Sequence, residues 1–108
     1  MAEFITICPA SDIPDGSREV FSIKNRWVAI FNVGDKYYAI EDLCTHDGNI
    51  LTEDAAGNPV PLDGYEIACP RHGAKFDIRD GSITRGPALL PAPWFEVRIE
   101  NGQIQIAI

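Results

Sequence analysis

Two short segments carry both histidines and two of the three cysteines of this chain. They are Cys44-Thr45-His46 and, 22 residues further on, Cys69-Pro70-Arg71-His72. Thiolate and imidazole are the side chains that hold transition metals. Two chemistries use a set of two thiolates and two imidazoles. In one, a [2Fe–2S] cluster places both thiolates on one iron and both imidazoles on the other. In the other, all four close around a single structural zinc. Zinc ribbons generally use Cys-x-x-Cys knuckles, so a Cys-x-His segment favours the cluster. Gly48 follows the first histidine by two positions and Gly73 follows the second directly. Both can take the positive φ that a tight loop needs.

Loops of this kind need strands to hold them. Phe4 to Ile7 reads as a first strand ended by Pro9, and Ser11 to Gly16 as a turn cluster. Arg18 to Ile23 is a second strand, and the apolar run Trp27 to Phe31 a central one. Gly34-Asp35 turns the chain into Tyr37 to Ile40, and Asn101-Gly102 joins Trp94–Glu100 to Gln103–Ile108. In the last hairpin Phe95, Val97 and Ile99 face one way, with Ile104, Ile106 and Ile108 as their counterparts. Tyr65 to Ala68 leads into Cys69, Ala74 to Ile78 leads away from it, and Arg79 to Ser82 closes the next hairpin. The stretch from Thr52 to Asp63 is an exposed excursion, and residues 86–93, with three prolines, have no strand potential. No window sustains a 3.6-residue period, so the fold expected is all-β.

The motif Cys-Thr-His … Cys-Pro-Arg-His-Gly-Ala-Lys-Phe-Asp over residues 44–77, with Gly86-Pro87 beyond it, resembles the Rieske-type iron–sulfur proteins. The resemblance implies stacked antiparallel sheets forming an incomplete barrel, with an inserted cluster-binding subdomain. It implies one domain over residues 1–108, its base at about 1–40 and 94–108 and its cluster-binding part at about 41–93. It implies one [2Fe–2S] cluster on Cys44, His46, Cys69 and His72, with the histidine-bound iron outermost and a proline-bearing segment at Gly86-Pro87 covering it. Two neutral imidazoles in place of two thiolates raise the potential, to roughly −150 to +300 mV against about −400 mV for an all-Cys plant-type cluster. Respiratory-chain members carry a bracing disulfide where this chain has Asn49 and Arg71. They carry hydroxyl donors where it has Ala74 and Phe76. Those departures imply the low-potential, oxygenase-associated type.

Composition narrows the function. At 108 residues there is room for one modest core. Nine basic against 16 acidic residues give a net charge of −7, which disfavours nucleic acid and anionic membrane surfaces. No segment approaches the roughly 18 apolar residues of a membrane span, and no basic, apolar leader opens the chain. Cys8 is left over as a small buried hydrophobe, which fits a reducing cytoplasm. Acidic residues cluster at 41–66, including Asp42, Glu53 and Asp54, and basic residues gather at 71–85; most of them read as a solvated surface, the alternative being an acidic flank beside a basic one that steers a partner. With both histidines assigned to the cluster, no second, mononuclear iron centre can be built. The expected function is therefore electron transfer without a catalytic site. By resemblance the donor is a flavin-dependent NAD(P)H reductase and the acceptor a terminal oxygenase, such as an aromatic-ring dioxygenase. Two readings compete with it. One is a small subunit of an assimilatory nitrite reductase or other multi-component reductase, in which the ligands are often lost; the other is a structural zinc module.

Overall fold

The computed structural model describes residues 3–45, 48–88 and 90–108. Three two-residue turns organise the first of two compact units, which comprises residues 1–39 and 95–108. β2 (Arg18–Ile23) and β3 (Arg26–Val33) are joined by Lys24-Asn25, and β3 and β4 (Lys36–Glu41) by Gly34-Asp35. β10 (Val97–Glu100) and β11 (Gln103–Ala107) are joined by Asn101-Gly102. All six turn residues have positive φ, between 50° and 74°. Such I′ turns match the right-handed twist of the strands they join. Asn-Gly and Gly-Asp announce themselves in the sequence. Lys24-Asn25 does not, because Lys rarely takes this conformation; here its ammonium donates to the Ile108 carbonyl at 2.8 Å.

β1 (Phe4–Pro9) pairs antiparallel with β11, which also pairs with β10, giving the order β1-β11-β10. A bulge interrupts β1 between Thr6 and Cys8. The second sheet runs β2-β3-β4-β9, where β9 is Trp94–Phe95. As the second strand of that order, β3 is buried from Val28 through Asn32; the first residue of the expected apolar run, Trp27, is exposed, and the polar Asn32 is buried. Ile13, Ile23, Val28, Ile30, Ile104 and Ile106 form the core with Ala39 and Phe95. Each fully buried side chain of this size contributes about 1.5–3 kcal/mol. A 3-10 turn at Ala10–Asp12 follows β1. Its neighbour Ile13 is tied in from two strands, its carbonyl accepting from Asn32 Nδ2 at 2.8 Å and Tyr37 Oη at 3.1 Å.

The expected continuous strand from Trp94 to Glu100 is broken at Glu96. Phe95 joins the second sheet, while Val97 and Ile99 pair with Ile106 and Ile104 as their alternation implies.

The second unit spans residues 40–94. Its sheet has four short strands: β5 (Leu62–Asp63), β6 (Glu66–Ala68), β7 (Lys75–Asp77) and β8 (Ile83–Arg85), hydrogen-bonded in chain order. The end of the expected excursion is thus an edge strand. The rest of it is a small hairpin bridged at Glu53 and Pro59, with the Asp54 carboxylate accepting from the Ala56 and Asn58 amides. Leu51, Ile67, Phe76 and Ile78 are fully buried here, and Ala88 and Ala92 of the proline-rich segment nearly so.

Candidate metal centre

The two segments that carry cysteine and histidine share one backbone frame. The Cys44 amide donates to the Asn49 carbonyl at 2.7 Å, and the Gly48 amide returns to the Cys44 carbonyl at 2.7 Å. In the second loop the Cys69 amide donates to Ala74 at 2.7 Å, and Gly73 returns to Cys69 at 3.0 Å. Each cysteine therefore opens a six-residue loop whose fifth residue is a glycine in the left-handed region, φ 78° at Gly48 and 77° at Gly73. This is a G1 bulge, in which two residues oppose one and the first of them needs positive φ. A side chain at either glycine would meet no neighbour within 4 Å, so the backbone angle alone selects glycine there.

That frame turns both thiols inward. Cys44 is 0% exposed and Cys69 2%, and no disulfide joins either of them or Cys8. Pro70, Arg71 and His72 at the rim of the second loop are exposed. His46 lies outside the described residues. Among the described residues, no three His, Cys, Asp or Glu side chains gather closely enough to hold one metal ion. The donors that can be placed are thus two sequestered thiols and one imidazole at the surface. Soft thiolates with imidazoles suit iron, zinc or copper rather than magnesium or calcium. Ala74 and Phe76 are both fully buried.

Three further residues belong to the site without having been legible as such. The Thr45 hydroxyl donates to the Leu90 carbonyl. The Ala92 amide donates to the Gly81 carbonyl at 2.8 Å. Residues 86–93 are thereby strapped at one point to the first loop and at another to the turn after β7. The third is Asp42, which is not the solvated acid expected but 5% exposed. Its Oδ1 accepts from the Leu51 and Thr52 amides at 2.9 and 3.0 Å, and its Oδ2 from the Thr52 hydroxyl at 2.6 Å. The only sequence signal for it is an acid two residues before Cys44.

Electrostatics at the rim are mixed. Asn49, Ile50, Glu53, Asp54, Ala55, Pro70 and Arg71 line an open pocket of about 300 Å³ that touches both loops. Asp77 is buried and paired with Arg79, Nη2 to Oδ2 at 2.7 Å. The Arg79 hydrogen bonds hold its carboxyl below the usual carboxylate range, against the opposing effect of burial. Arg79 also lies 4.1 Å from the Tyr65 ring centre, so it is committed within the unit. Away from the site, burial pushes the Cys8 thiol up, and the charges of Asp12 and Glu19 add to that.

Comparison with known proteins places these features. The family model described as the Rieske [2Fe-2S] domain matches residues 3–96. Ferredoxin CarAc of Metapseudomonas resinovorans is 35% identical over 105 residues, covering 96% of this chain and 92% of that protein. The cytochrome b6-f complex iron-sulfur subunit of Chlorobaculum tepidum is 36% identical over 104 residues, which cover 96% of this chain but only 53% of that protein's length. Among solved structures, a complex of reduced oxygenase and oxidized ferredoxin in carbazole 1,9a-dioxygenase superposes with a TM-score of 0.81 at 33% identity. That match covers 96% of this chain and 92% of the matched one.

Proposed function

The chain belongs to the Rieske [2Fe–2S] domain family, and from that membership we propose that it is a ferredoxin handing single electrons to a terminal oxygenase. The observation that carries the reading is the pair of matched loops, with sequestered thiols and an exposed imidazole. Cys44, His46, Cys69 and His72 would hold the cluster, through two thiolates and two imidazoles. The cluster, when bound, supplies a one-electron couple whose charge is less negative than that of an all-thiolate cluster.

The protein's own residues do the rest. Burial of Cys44 and Cys69 keeps water from the thiolates, and with it hydrolysis. His72, at the surface, offers the short path by which an electron leaves. Ala74 and Phe76 donate nothing to sulfur, which keeps the potential at the low end of the family's range. The electron comes from a flavin-dependent NAD(P)H reductase, and the protein works in the cytoplasm. Relatives matched over nearly their full length bear on the partner: CarAc is named a ferredoxin, and another, from Pseudomonas putida, the ferredoxin component of a p-cumate 2,3-dioxygenase system. The exposed Leu43, Ile50 and Leu90 add apolar surface for contact, and Ile50 lines the rim pocket together with the acidic Glu53.

Iron and acid-labile sulfide analysis tests the reading: two of each per chain are expected, with a brown colour. Zinc without sulfide, in a colourless protein, would overturn it in favour of the structural module.

A further inference from the structure

The two loops have the same inner frame but different outer braces. Beyond Cys69 and Ala74 the second loop continues as a strand ladder, Ala68 opposite Lys75 and Ile67 opposite Phe76. The corresponding residues of the first loop are Leu43 with Ile50 and Asp42 with Leu51, and neither pair lies in a strand. In place of that ladder stands the Asp42 side chain, with its three hydrogen bonds to Leu51 and Thr52. All three of these contacts are donors into its oxygens, the pattern of an acceptor-only carboxylate. Two successive backbone amides on one oxygen form a small anion-holding nest. Thr52 is itself fixed, its carbonyl accepting from the Val60 amide at 2.8 Å.

We propose that Asp42 is the positioning residue of the first loop: its carboxylate replaces the missing ladder, fixes Cys44, and holds a negative charge beside the cluster that lowers the reduction potential. This rests on the assignment of the cluster to these loops. Two residue steps separate Asp42 from Cys44, so their Cα atoms lie within about 7.6 Å. A charge buried this close is screened little by salt. Its sign opposes the arriving electron. The Thr52 hydroxyl, by donating to Oδ2, partly offsets that charge.

Three variants of the full chain test this. Asp42→Ala removes brace and charge together, and should lower iron and sulfide occupancy several-fold. Asp42→Asn keeps the Oδ1 acceptor for both amides and removes the charge, so its voltammetric potential should shift positive. Thr52→Val keeps the charge and removes the donor that offsets it, so its potential should shift negative. General damage to the fold would not give shifts of opposite sign. Parental occupancy in Asp42→Ala, or the same potential in the parent, Asp42→Asn and Thr52→Val, would overturn the proposal. If Asp42→Asn cannot be loaded, Thr52→Val alone decides, and an unchanged potential is fatal. Failure of the cluster assignment is a separate result, seen as absent iron and sulfide in the parent. The brace is then judged on the metal-free chain, where Asp42→Ala must melt below the parent.

Discussion

Gly81 and Gly57 have left-handed backbones alike, φ 72° and 81°, but their surroundings differ. A Cβ on Gly81 would sit 1.8 Å from the Ala92 carbonyl oxygen and 2.9 Å from its carbon, whereas one on Gly57 meets nothing within 4 Å. Gly57→Ala therefore costs only the left-handed placement, about 1 kcal/mol. Gly81→Ala carries that cost and must also drive backbone from backbone. The Ala92 amide then loses its bond to the Gly81 carbonyl, about 1 kcal/mol. The buried Ala88 and Ala92 methyls partly leave their packing, about another 1 kcal/mol. The expected loss is about 3 kcal/mol against about 1, or a fall in melting temperature of roughly 12 °C against roughly 4 °C for a domain of this size. Circular dichroism melting of the two variants and the parent measures it. A second readout belongs to the site alone: with the strap loosened, the visible absorbance of Gly81→Ala should bleach faster in air than that of Gly57→Ala. Equal melting temperatures for the two variants would refute the clamp, and equal bleaching would refute its role in covering the site.

The remaining expectations are shorter. Asp77 has a depressed folded pKa, so its stabilising contribution is complete above about pH 4, the ordinary carboxylate value, and drains as pH falls through the lower folded value. Asp77→Asn should lower the melting temperature at neutral pH and flatten its decline below about pH 4; an unchanged acid limb would show that the Arg79 pair does not matter. Phe76→Tyr should raise the reduction potential by about 40 mV if its hydroxyl reaches a sulfur and the two redox states differ by about 1 kcal/mol. Voltammetry at the parent value, with a structure placing the hydroxyl on sulfur, would contradict that. Cys8→Ser should leave the visible and EPR spectra as they are. The Cys8 thiol, its pKa raised, should alkylate more slowly at neutral pH than a small free thiol; labelling at the free-thiol rate would contradict this.

What the sequence disclosed, and what it hid, divides along one physical line. Patterns with a period or a turn signature were legible: the Trp27–Phe31 run, of which Val28 to Phe31 is buried in β3, the Asn101-Gly102 hairpin, and the Val97 and Ile99 pairing with Ile106 and Ile104. The candidate donors stand out in the sequence because residue type and spacing alone suggest metal chemistry. Their supports do not. Asp42 reads as one more acid in an acidic stretch, because nothing local says that two amides nine and ten residues away lack strand partners. Thr45 reads as filler between Cys44 and His46 until Leu90, 45 residues on, supplies a carbonyl. Gly81 reads as a turn glycine, and it is one, since the Asp77 amide donates to Ser82 and the Gly81 amide returns to Asp77. Its second duty, against Ala92, is visible only in space.

The hidden residues share a task. A frame of short strands, two or three residues each, supplies few ladder bonds, so single contacts from side chain or backbone finish what the ladder leaves open. In the second loop the ladder suffices, and the adjoining side chains Ile67 and Phe76 are free to be apolar. In the first it does not, and a buried charge stands where an apolar residue would otherwise pack. Burying that carboxylate is unfavourable unless its oxygens are filled, and Leu51 and Thr52 fill them. With the cluster on these loops as proposed, the asymmetry would have a redox consequence: electrons added there would meet the Asp42 carboxylate on the side of Cys44, while the residue two before Cys69 is the apolar Ile67.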